Sequence, residues 1–129
     1  MKHKVTLTIT SLLSMLFFVF HWADDMVRGF APGGVSSLGG VLILVVWLHG
    51  TLVLADRRSG HVIMLLGSLG ALGILVLHMS GAGLVGGRIA NSSEIFFWVW
   101  TLLALGVTGA FSAILSTLGL WSLRRGQSR

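Results

Sequence analysis

Residues 95–121 read IFFWVWTLLALGVTGAFSAILSTLGLW, a run without one ionisable side chain. As a helix rising 1.5 Å per residue it is about 40 Å long, more than the roughly 30 Å hydrocarbon layer of a bilayer. A helix on a soluble domain keeps a polar face for water, and this one has none. Three more apolar runs stand upstream: VTLTITSLLSMLFFVFH at 5–21, SLGGVLILVVWLHGTLVLA at 37–55 and VIMLLGSLGALGILVLHMS at 62–80. Inside lipid every backbone N–H and C=O must be satisfied within the segment, so each run is a helix. The expected fold is an all-α integral membrane protein, with four transmembrane helices in an up-down bundle. It is read as a single four-helix domain over 1–129, with spans at roughly 5–28, 37–55, 62–80 and 92–123. Short connections make sequential helices antiparallel.

Composition agrees. The chain of 129 residues is 54% hydrophobic and 10% charged, where a soluble domain carries about 25% charged residues. Mean hydropathy is +0.91. The net charge of +5 sits between the apolar runs, with no basic stripe interleaved with aromatics. The expected partner is therefore the lipid bilayer, not nucleic acid. The absence of cysteine excludes disulfides, cysteine-ligated iron–sulfur clusters, c-type haem and thiol catalysis. No G-x-S-x-G elbow, H-E-x-x-H or Walker loop is present.

Lys2, Lys4, Arg57, Arg58, Arg124, Arg125 and Arg129 fall on one side of the four spans, and Arg28 and Arg88 on the other. By the positive-inside rule both termini and the 56–61 connection are cytoplasmic, and the protein belongs in the inner (plasma) membrane of a bacterium. The basic start MKHK resembles a signal peptide, but FVFHWADD offers no small-x-small cleavage site, so the first run is read as a retained span. Gly29 and Pro32 end the first helix. Asn91–Glu94 has capping-box spacing ahead of the fourth, and GAGLVGG at 81–87 reads as an outer loop.

Small residues mark packing faces in lipid. The third helix offers Gly67, Gly70, Ala71 and Ile74, with His78 continuing that face. The fourth offers Gly106, Gly109, Ala110, Ala113 and Thr117. Trp22, Trp98 and Trp121 read as interfacial anchors, and Trp47 and Trp100 as packing residues. His49 reads as an interior histidine hydrogen-bonded across helices, and His3 and His61 as cytoplasmic surface residues.

The first helix carries a polar stripe of Thr10, Ser14, His21, Asp24 or Asp25, and Arg28. His21 and His78 each lie sixteen residues into outward-running spans, so both imidazoles sit about 24 Å from the cytoplasmic boundary. His49 is at a different depth. Two carboxylates at the negative end of a helix dipole also need a cation, water or a ligand. Three chemistries suit this set. His21 and His78 are placed to be axial ligands of a b-type haem. Alternatively His21, Asp25, His78 and Glu94 hold a metal ion. The third is a proton-handling cluster feeding a proton- or ion-coupled small transporter. With no catalytic signature, the leading expectation is a non-catalytic accessory or complex-forming subunit. Its packing faces would bind a second copy or a larger membrane complex.

Overall fold

The computed structural model describes residues 2–31, 33–80 and 95–127, with no strand among them. The helices are α1 (Lys2–Val27), α2 (Leu38–Leu52), α3 (Arg58–Ser80) and α4 (Ile95–Gln127), with a 3₁₀ turn at Gly34–Ser37. All four are long and apolar enough to cross a membrane, α2 together with the turn before it. The chain is a multi-pass membrane protein with an all-α four-helix bundle fold. The helical ends run past the apolar runs at both termini: α1 starts at Lys2 and α4 continues through Arg124 and Arg125.

The helices alternate in direction. The C-terminal ends of α1 and α3 meet the N-terminal end of α4, while Lys4 pairs with Asp56 at the opposite end. The α4 helix packs along both α1 and α3, and α2 leans mainly on α3. Polar groups turn inward and aliphatic ones outward. Ser11, Ser14, Thr51, Ser68, Ser112 and Ser116 are buried, while Val41, Leu42, Ile43, Leu66 and Ile114 are exposed. Against lipid there is no hydrophobic gain in burying leucine, so small side chains that let backbones approach take the inner faces, Ser112 and Ser116 without a hydrogen-bond partner among the described residues. One closed set ties α1 to α2. Trp47 Nε1–H donates to Ser11 Oγ at 2.9 Å, Ser11 and Thr51 hydroxyls meet at 2.9 Å, and Thr51 donates to the Trp47 carbonyl at 2.9 Å.

Gly109 lets α4 approach α3: a Cβ there would lie 3.0 Å from Ala71 Cβ and 3.3 Å from the Ser68 carbonyl. Gly67 of α3 instead seats the Trp47 ring of α2. The expected small-residue faces are thus split between partners, and two members fall outside them. Gly70 has nothing within 4 Å of its Cβ position, and Thr117 is exposed and bonds its own helix at the Ala113 carbonyl.

Four histidine and tryptophan expectations are corrected, three of them by helical phase. His49 is exposed, because Trp47, Gly50 and Thr51 form the inner face of α2 and residue 49 lies about 200° round from 47. On α4 the same spacing exchanges two tryptophans. Trp98 is fully buried, while Trp100 is 58% exposed and stacks on Phe96 at the surface. His61 is only half-exposed, its ring lying over Gly119.

Candidate metal centre

The α1 helix ends in a Schellman turn. Phe30 N–H donates to the Asp25 carbonyl at 2.8 Å and Gly29 N–H to the Met26 carbonyl at 3.1 Å, with Gly29 at φ 72°. Glycine takes this left-handed conformation without the Cβ penalty. The turn pins the backbone of Asp25 at the last helical turn. Pro32 lies outside the described residues.

Adjacent residues on a helix point about 100° apart, and Asp24 and Asp25 diverge accordingly. Asp24 Oδ2 accepts from Arg28 Nε at 2.7 Å. Asp25 turns into the bundle, where residue exposure is 8%. Its Oδ1 accepts from Trp98 Nε1–H at 2.6 Å. Its Oδ2 lies 3.7 Å from His21 Nε2 and 3.7 Å from His78 Nε2, and those two nitrogens are 3.3 Å apart. Three elements thus converge: α1 supplies His21 and Asp25, α3 supplies His78, and α4 supplies the residues that hold them. The ring centroids of His21, His78 and Trp98 are mutually 5.0 Å apart. His21 is buried, and the His78 side chain is 29% exposed, so the cluster is reached from the His78 side.

Thr101 sets the His21 tautomer. Its hydroxyl has one proton and donates it to the Trp98 carbonyl at 3.1 Å. In the 3.3 Å contact with His21 Nδ1 the hydroxyl oxygen is therefore the acceptor and Nδ1–H the donor. That assignment leaves the Nε2 lone pair facing His78 and Asp25. Such outer hydrogen bonds orient histidine ligands and make them better donors. Replacing Thr101 by valine keeps the volume but removes the acceptor. If the cluster holds a metal, Thr101→Val weakens binding about 10–100-fold and Thr101→Ser restores it, as read by calorimetric titration.

His21, Asp25 and His78, read from the sequence, are brought together here. Asp24 is directed to Arg28, and Glu94 lies outside the described residues. Thr101 and Trp98 were missed as site residues. The available signal was phase: Gly109 lies on the packing face of α4, and eleven residues back, about three turns, is Trp98. The hydroxyls of Thr10 and Ser14 are hydrogen-bonded to carbonyls of α1 itself. The chain matches no protein-family model, no curated protein and no solved structure.

Proposed function

We propose that this is a metal-binding membrane protein whose His21, Asp25 and His78 hold a divalent transition ion of the zinc type. The observation that carries the reading is the triangle of donor atoms. Sides of 3.3, 3.7 and 3.7 Å put an ion lying in the plane of the three donors about 2.1 Å from each, and an ion raised about 0.7 Å out of that plane, as a fourth ligand requires, about 2.2 Å from each. Zinc–nitrogen and zinc–oxygen bonds are roughly 2.0–2.2 Å, and a tetrahedral site with such bonds has edges of about 3.3–3.6 Å. Two imidazoles and one carboxylate suit zinc, nickel or cobalt, whereas magnesium and calcium take oxygen donors. Charge points the same way. A buried carboxylate facing two imidazoles is costly unless a cation joins it. Three protein ligands leave a fourth tetrahedral position open to water or a substrate atom, unlike the closed four-ligand set of a structural zinc site.

Haem fits poorly. A porphyrin must lie between its two axial imidazoles, and here their Nε2 atoms are at hydrogen-bond distance with Asp25 Oδ2 beside both. The Lys/Arg asymmetry supports cytoplasmic termini in a bacterial inner membrane, with the metal near the outer surface. The expected result is one zinc ion per chain after purification without chelator and dialysis, measured by elemental analysis. A folded protein that neither carries nor takes up zinc, nickel or cobalt overturns the reading. A second reading, a subunit that docks on its own copy or on a larger membrane complex, is favoured by the open lipid-facing groove of α2 and α3 beside Gly70. The mass of the same sample by light scattering tests it, and a strict monomer without co-purifying partners removes it.

A further inference from the structure

At the end of the bundle away from the histidines, a cleft of about 380 Å³ lies between the start of α3 and the last turns of α4. Arg58 and Arg124 line it from the two helices, together with Val62, Thr117, Leu120 and Trp121. The two arginines are four residues from Val62 and Leu120 respectively, about one turn. Charge is thus at the rim and apolar surface one turn deeper into the membrane. Trp121 is 54% exposed beside it, with the Arg125 guanidinium 3.9 Å from its ring centroid. The first turn of α3 carries no acidic residue, so its N–H groups and positive dipole end add to the field of the arginines. Asp56, the acidic residue beside α3 at this end, is paired with Lys4.

We propose that this cleft binds an anionic phospholipid, its phosphate between Arg58 and Arg124 and an acyl chain along Val62, Leu120 and Trp121. Charge complementarity selects the head group. Guanidinium groups match phosphate oxygens in a bidentate fork. The apolar floor selects a lipid over a free anion, because a soluble phosphate leaves that floor uncovered. The site is independent of the metal cluster at the other end.

The test is spin-labelled lipid association, by electron paramagnetic resonance, with the full chain reconstituted in phosphatidylcholine bilayers. Spin-labelled phosphatidylglycerol associates in preference to spin-labelled phosphatidylcholine. A hydrogen bond to a charged phosphate contributes about 1.5 kcal/mol or more, so Arg58→Gln and Arg124→Gln each lower that preference about tenfold. Arg57→Gln changes the net charge equally but does not line the cleft, and leaves the preference in place. All three positions are exposed, and retained helical circular dichroism confirms folding. Equal losses from Arg57→Gln and Arg58→Gln overturn the proposal in favour of a diffuse surface potential. Displacement of the labelled lipid by inorganic phosphate at constant ionic strength overturns the choice of a lipid. No preference for phosphatidylglycerol in the unaltered protein overturns both.

Discussion

If His21, Asp25 and His78 hold zinc as proposed, His78→Ala is expected to abolish zinc binding and to leave the bundle folded. The His78 side chain is 29% exposed, so its removal opens little internal cavity while taking one of three donors. The affinity loss exceeds the roughly 10–100-fold expected for an outer partner such as Thr101, and no ion survives dialysis. His21→Ala loses the ion equally but also some stability, because His21 is 2% exposed and its removal leaves a void beside Trp98. The adjacent aspartates provide the sharpest contrast. Asp25→Asn keeps an acceptor for Trp98 Nε1–H but removes the charge facing the imidazoles, and zinc is lost. Asp24→Asn breaks the ion pair with Arg28 and takes no donor from the triangle, so zinc is expected to be kept. Titration of cobalt or nickel followed by tryptophan fluorescence reads all four variants, since Trp98 sits 5.0 Å from both imidazole rings. Zinc is also expected to raise the thermal midpoint of the unaltered protein by mass action. It does not raise that of His78→Ala. Equal zinc affinity in Asp25→Asn and Asp24→Asn removes the proposed geometry.

The largest loss of stability is expected from Gly60→Ala. Gly60 is buried in the first turn of α3, where the chain folds back from α2. A Cβ there would stand 1.9 Å from the Leu54 carbonyl oxygen, 2.5 Å from its carbon and 2.9 Å from the Gly50 oxygen. These are backbone atoms, and the Leu54 carbonyl already accepts Arg57 N–H at 2.8 Å. Relief requires moving the α2–α3 turn as a whole. Overpacking costs about 1–3 kcal/mol when side chains can shift and more when they cannot, so a loss of about 3 kcal/mol or more is expected. Unfolding in mixed micelles with increasing dodecyl sulfate measures it. Gly70→Ala is the control: nothing lies within 4 Å of its Cβ position. A helical Gly→Ala change there stabilises by about 0.5–1 kcal/mol.

The membrane helices were legible because bilayer thickness imposes a length on any apolar run that crosses it. The level placement of His21 and His78 was legible for a related reason: two parallel helices of fixed rise carry equal counts to equal depths. Rotation about the helix axis was not. In a run such as 95–121 most residues are apolar whichever way they face, so periodicity carries little information. Hence Trp98 and Trp100, two residues apart and chemically identical, were assigned to the wrong faces. His49 was placed inside for the same reason, since nothing in its immediate surroundings distinguishes the two sides of α2.

By itself the sequence determined the class of molecule, the number of spans and the set of residues from which a site could be built. These depend on composition and on distance along the chain, which a helix converts directly into depth. Only the tertiary structure decided which carboxylate turns to the histidines, which tryptophan holds it, and that the Thr101 contact at Nδ1 leaves the His21 Nε2 lone pair facing His78 and Asp25. Those choices depend on the phase of α4 against α1 and α3. Against α3 that phase is fixed where Gly109 lets the two backbones approach, a contact between residues far apart in the chain.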